Sequence, residues 1–126
     1  MEKVSTSHED YLEAMVMLGG TDACPVRSVD VAARLGVSKA SVSKAVASLK
    51  ASGMLEQEHY GSIVLTEEGY RYGQAVLERH EMLTRFLSEC IGISHEIAEE
   101  EACQMEHAIS DDSFEKWLAY FKKIGL

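Results

Sequence analysis

Apolar residues recur along this chain mostly at spacings of three and four, the pattern of helices with one buried face. From Ser7 to Leu18 that face is Tyr11, Leu12, Met15, Val16 and Leu18, with Ser7 and Asp10 spaced as a capping pair. Gly19-Gly20 and Cys24-Pro25 end the run. Ser28 opens a shorter helix through Val29, Val31, Ala32, Ala33 and Leu35, closed by Gly36. Ser38 then caps a third, Lys39 to Ser52, whose inner side is Val42, Ala45, Val46 and Leu49. Two helices joined by a short glycine-containing turn predict a helix-turn-helix. Met54 to His59 and Ser62 to Leu65, around Tyr60-Gly61-Ser62, predict a β-hairpin, which turns that unit into a winged helix.

The second half returns to helical spacing. Thr66-Glu67-Glu68-Gly69 is a start signal for a long helix that reaches Cys90 and stops at Gly92. Its stripe is Tyr72, Ala75, Val76, Arg79, Leu83, Phe86, Leu87 and Cys90. Ser94 caps the next helix, which ends at Ile109, and Ser110-Asp111-Asp112 breaks and recaps the chain. A last helix, Ser113 to Lys123, presents Phe114, Trp117, Leu118 and Phe121 for a core or a dimer contact. The expected architecture is therefore mainly α. An N-terminal winged helix-turn-helix with a small hairpin wing occupies residues 1–65, and an all-α dimerisation domain occupies residues 66–126.

Composition adds a core and excludes a membrane protein. Hydrophobic residues make up 46% of the 126, yet no apolar run approaches the length needed to span a bilayer. Cys24, Cys90 and Cys103 are odd in number and show no C-x-x-C spacing, so they read as reduced thiols of a cytoplasmic protein. The net charge of −9 argues at first against nucleic acid. The distribution of that charge argues the other way. Between Arg27 and Gly53 stand Arg27, Arg34, Lys39, Lys44 and Lys50 against Asp30 alone, whereas acids outnumber bases from Thr66 onward. A basic segment joined to an acidic half suits a DNA reader attached to a cation-binding part. Lys39, Ser41, Lys44 and Ser48 lie on the outer side of the third helix, small or flexible enough to enter a major groove.

The candidate chemistry is concentrated in Glu99 to His107, E-E-E-A-C-Q-M-E-H. On a helix, Glu99, Cys103, Glu106 and His107 share one stripe, and carboxylate, thiol and imidazole are all ligands of divalent transition metals. Asp10 and Glu13, three apart on the first helix, and His80 on the long helix offer more donors of the same kind. On residue type alone Asp10 and Glu13 also fit a solvated acidic face, and a lone helical histidine is usually structural.

With the winged helix, the Asp10-Tyr11-Leu12-Glu13 opening, the pattern V-A-x-R-L-G-V-S-x-x-S-V-S from Val31, the R-H-E-M-L stretch from Arg79 and E-A-C-Q-M-E-H, nearly the whole chain resembles the diphtheria toxin repressor and manganese transport regulator family. The resemblance implies a homodimer that binds a palindromic operator on double-stranded DNA when Mn(II) or Fe(II) is plentiful, and represses metal-uptake genes. Co(II) and Zn(II) would also occupy such a site in vitro. It implies metal ligands at Asp10, Glu13, His80, Glu99, Cys103, Glu106 and His107. DNA-facing positions are implied at Ser38, Ala40, Ser41 and Lys44; Lys39, on the same face, and Arg27, which opens the basic segment, join them. The length matches the short architecture without an SH3-like domain. Asp10 belongs to the manganese type of site and Cys103 to the iron type, so the donor set is mixed and oxidisable at Cys103. Thr84 stands where the iron type has an acid for its ancillary site, and the wing lacks the family's arginine.

Two other readings fit the residues. A winged-helix regulator answering a non-metal signal would use Cys103, Glu106 and His107 as a polar interface. A metallohydrolase would use the same cluster with an open coordination position, but the chain has no H-E-x-x-H, nucleophile elbow or glycine-rich phosphate loop.

Overall fold

The computed structural model describes residues 5–58 and 61–126. Its elements run α1 (Thr6–Leu18), α2 (Ser28–Leu35), α3 (Lys39–Ala51), β1 (Leu55–Gln57), β2 (Ile63–Leu65), α4 (Glu67–Arg85), α5 (His95–Ala108) and α6 (Asp111–Lys123). They divide into two compact units, residues 1–76 and 77–126, and the division falls inside α4.

The first unit is a winged helix-turn-helix. Val42, Ala45, Val46 and Leu49 of α3 are buried against Tyr11, Leu12 and Met15 of α1 and Val31 and Ala32 of α2. Burying a side chain such as Leu49 stabilises by about 1.5–3 kcal/mol. Gly36 closes α2 in the left-handed region (φ 66°), where a side chain would be strained. The wing pairs antiparallel, Leu55 with Leu65, Glu56 with Val64 and Gln57 with Ile63. Ile63 also exchanges both backbone hydrogen bonds with Val26 at 2.8 Å, which clips the wing to the segment before α2. Of the expected hairpin, His59 at the end of its first strand and Tyr60 at its tip lie outside the described residues.

Two glycines let α4 sit against this unit. A Cβ on Gly69 would collide with the carbonyl oxygen of Met54, and one on Gly73 would come within 2.7 Å of the Leu12 carbonyl oxygen. Because the obstacle at Gly69 is backbone, Gly69→Ala is expected to destabilise the first unit by about 3 kcal/mol, read as a lower urea midpoint. Thr66 starts α4 as its spacing predicts. Its hydroxyl accepts from the Gly69 N–H (3.1 Å) and donates to the Gly53 carbonyl (2.7 Å).

In the second unit Leu83, Leu87, Ala98, Ala102, Phe114 and Phe121 form the core. Phe86, Trp117 and Phe121 stack edge to face or tilted, with centroids 5.3–6.0 Å apart. The long helix reaches Cys90 as expected, but Phe86–Cys90 is a π-turn, in which the Ile91 N–H reaches back to the Phe86 carbonyl. A π-turn advances less round the axis per residue than an α-turn, so Cys90 falls off the buried stripe and is exposed. Ala75 is exposed too.

The caps also differ in detail. Ser5 rather than Ser7 caps α1, accepting from the His8 N–H, so Asp10 is not part of a cap. Ser110 caps α6, which begins at Asp111 rather than Ser113. Ser94 precedes α5 with extended backbone but without a side-chain cap bond. At α1 and α6 a run of several short polar residues offered more than one cap, and the backbone geometry selected one.

Candidate metal centre

Three of the predicted ligands come from one face of α5. Cys103, Glu106 and His107 stand at i, i+3 and i+4, and their donor atoms lie within 4.8 Å of one another. Glu106 is the centre. Its side chain is 1% exposed, with Oε1 3.3 Å from His107 Nε2 and Oε2 3.6 Å from His80 Nδ1 of α4. Neither carboxylate oxygen accepts a hydrogen bond from the described residues, although both are buried. A buried carboxylate without hydrogen bonds costs several kcal/mol unless a positive charge meets it. It also lies in the last turn of α5, where the helix dipole is negative and disfavours an anion. Imidazole, carboxylate and thiol converging on such a point are what a divalent transition metal satisfies, so the residues fit one.

The backbone beneath the cluster is anchored by Arg79. Its Nη1 donates to the carbonyl oxygens of Glu106 (3.0 Å) and Ile109 (3.1 Å), and its Nη2 to Asp111 (2.8 Å). The guanidinium lies 4.6 Å from the centroid of the Phe114 ring. Arg79 thus satisfies carbonyls at the end of α5 that the helix leaves open, and ties the start of α6 to them.

The remaining candidates are placed as follows. Glu99, one turn before Cys103, is exposed, and the structure does not bring it into the group around Glu106 among the described residues. Asp10 and Glu13 lie on α1, in the first unit, and Asp10 is half-buried. Thr84, buried on α4, donates to the His80 carbonyl at 2.8 Å, so its hydroxyl serves the helix.

Two residues of consequence do not stand out in the sequence. Arg79 reads there as a position on an apolar stripe and the start of the R-H-E-M-L stretch, with no role of its own, yet a charge on a buried stripe signals a partner. Glu9, beside Asp10, is a buried carboxylate that accepts from the Tyr72 hydroxyl at 3.1 Å. Nothing in its sequence context separates it from the exposed acids.

Of the residues expected to face DNA, Lys39, Ala40, Ser41 and Lys44 of α3 are exposed, as are Arg27 and Ser38. The Ser38 hydroxyl accepts from the Ser41 N–H (3.1 Å) and donates to Ser41 Oγ (3.0 Å). The start of α3 is therefore rigid, with small side chains in front and lysines at its flank.

Residues 3–63 match the N-terminal DNA binding domain of the iron dependent repressors, and residues 66–124 match their metal binding and dimerisation domain. The chain belongs to the iron-dependent repressor family. It is thereby a member of a family of metal-responsive transcriptional repressors, which are regulators rather than enzymes. A helix-turn-helix transcriptional regulator of Methanocaldococcus jannaschii is 32% identical over 120 residues, covering 95% of this chain and 96% of its own length. Transcriptional regulator MntR of Escherichia coli is 35% identical over 117 residues, 93% of this chain and 74% of that protein. A solved manganese-dependent transcriptional repressor in complex with manganese superposes with a TM-score of 0.79 at 28% identity. The match covers 91% of this iron-dependent repressor-family chain, which spans about half (52%) of that structure's length. Among the described residues no helix is long and apolar enough to cross a membrane.

Proposed function

We propose that this protein is a cytoplasmic, homodimeric repressor whose binding to a palindromic operator at metal-uptake genes is switched on by Mn(II) or Fe(II), with no reaction of its own to catalyse. The observation that carries the reading is Glu106: a fully buried carboxylate, flanked by two imidazoles and a thiol, that no described residue hydrogen-bonds. Residues 1–65 read DNA, and residues 66–126 hold the metal and dimerise. Ile97, Leu118, Tyr120 and Ile124 are exposed apolar residues of this second part and suit a subunit contact.

Cys103, Glu106, His107 and His80 hold the metal, Asp10 and Glu13 are proposed as further ligands, and Glu99 is a weaker, exposed candidate. Bound there, a divalent cation supplies the positive charge that this donor set lacks. The work of the protein is to make that binding stronger in the DNA-competent arrangement, since only a differential affinity shifts a population. A coupling of about 1–3 kcal/mol corresponds to about a 5–150-fold change in DNA affinity. Carboxylates and imidazoles suit Mn(II) and Fe(II), and the Cys103 thiol adds affinity for Fe(II), Co(II) and Zn(II).

DNA contact falls to Arg27, Ser38, Lys39, Ala40, Ser41 and Lys44. The lysines neutralise phosphates, and the small residues let α3 approach base edges. Lys44→Ala is expected to weaken binding to all sequences alike and to lower the slope of log K against log salt by about 1.

The deciding experiment is anaerobic fluorescence anisotropy on DNA from upstream of the protein's own gene, in chelator and then with Mn(II), Fe(II), Co(II) or Zn(II). Tight binding only with metal is the expected result. Equal binding in chelator and in every metal would overturn it.

A further inference from the structure

Glu9 is a carboxylate only 9% exposed, in the first unit and on the helix that carries Asp10 and Glu13. It accepts a hydrogen bond of 3.1 Å from the hydroxyl of Tyr72 on α4. Beside Tyr72, Gly73 lets the α1 backbone approach so closely that a Cβ there would come within 2.7 Å of both the Leu12 carbonyl oxygen and Val16 Cγ2. Glu9, Leu12 and Val16 stand at i, i+3 and i+7, one face of α1. That face is pressed on α4 at two levels, one polar and one backbone-to-backbone.

We propose that Glu9 and Tyr72 are a positioning pair that sets the rotation of α1 about its own axis and so aims Asp10 and Glu13. The inference rests on the metal-switched reading above and concerns residues to which that reading gives no role. Close packing against Gly73 fixes how near α1 lies to α4, but an apolar contact alone tolerates rotation. A hydrogen bond to a charged acceptor is directional and does not. Asp10 and Glu13 each follow a contact residue, Glu9 and Leu12, by one position, about 100° round the helix. A fixed contact face therefore fixes where these two side chains emerge. Groups that hydrogen-bond metal ligands directly are worth about 10–100-fold in metal affinity, and a pair that orients the helix carrying the ligands falls at the low end of that range.

The test measures Mn(II) and Co(II) affinity by competition with a fluorescent chelator, alongside thermal melting in chelator and DNA affinity at saturating metal. Tyr72→Phe, which keeps the ring, is expected to bind metal about 10-fold more weakly. Its DNA affinity at saturating metal should stay within about 2-fold of wild type, since the metal then imposes the arrangement by itself. Glu9→Gln, whose amide oxygen still accepts from Tyr72, is expected to lose about 3-fold, since a neutral acceptor bonds more weakly than a charged one. Tyr72→Phe and Glu9→Ala together should lose less than the sum of the two single losses, as both remove the same bond.

Metal affinities unchanged in Tyr72→Phe and Glu9→Ala, with only the melting temperature lowered, would reduce the pair to a structural contact and overturn the proposal. So would a loss in Glu9→Gln as severe as in Glu106→Gln, which would make Glu9 a ligand itself. Wild-type protein that binds neither metal would overturn the metal-switched reading, and the pair's role with it.

Discussion

Glu106→Gln is expected to abolish metal-dependent DNA binding while the metal-free protein stays folded, with a melting temperature equal to or above that of wild type. The two halves of this result have the same cause. Glu106 is 1% exposed, and its oxygens face His80 and His107 without hydrogen bonds from the described residues. In the metal-free protein that charge is a cost, so exchanging it for a neutral isostere relieves the fold. With metal, the same charge is the central donor. Its loss should weaken binding on the order of 100-fold or more, beyond what positioning residues contribute. Wild type at a metal concentration about 100 times its Kd gains about 2.7 kcal/mol of stability, and the variant at that concentration should gain close to none. Melting curves with and without Mn(II), beside DNA anisotropy, read both halves. A variant that still melts higher with metal would remove Glu106 from the site.

Arg79→Ala is expected to destabilise the second unit by about 2–4 kcal/mol, the largest loss from a single polar residue there. Truncation removes a charged donor from the carbonyls of Glu106 and Ile109 and the cation from the Phe114 ring. The ion pair to Asp111 contributes little, since Asp111 is 82% exposed and its charge is screened. Asp111→Asn should therefore cost under about 1 kcal/mol, and Arg79→Lys, which keeps the charge but not the fork, should fall between the two. Trp117, the chain's single tryptophan, lies in this unit, and its fluorescence in a urea titration reports the loss directly. Equal losses in Arg79→Ala and Asp111→Asn would place the energy in the ion pair instead.

The helices are legible in the sequence because their buried faces are regular. Val42, Ala45, Val46 and Leu49, spaced by three, one and three, can share a side only on a helix, and all four are buried. The glycine turn at Gly36 and the start at Thr66 are legible for a similar reason, since each uses a residue whose chemistry is specific to that place. The π-turn at Phe86–Cys90 is not, because one wide turn leaves the apolar period almost unchanged. The Cys103, Glu106 and His107 cluster is legible from spacing on a single helix. Glu99 obeys the same spacing and is exposed, because a helical stripe says which residues align and not how far along it the burial extends. Arg79 and Glu9 escape notice because their roles depend on partners 27 and 63 residues away. No local pattern records such a separation.

One oxygen at the start of α4 has a mechanical consequence. The covalent path from Gly53, two residues beyond α3, to Thr66 is 13 residues long and runs out along the wing and back. Thr66 Oγ1 bypasses that path, being bonded at once to the Gly53 carbonyl and to the amide of Gly69 inside α4. Thr66 thus ties the start of α4 to the chain just beyond α3 by two hydrogen bonds, beside the buried core contacts that Leu55, Ile63 and Leu65 of the hairpin make. The exposed positions of the wing, such as Glu56 and Gln57, lie outside these contacts, so their charge is free to vary, and to go without arginine or lysine, while the core that holds α3 stays the same.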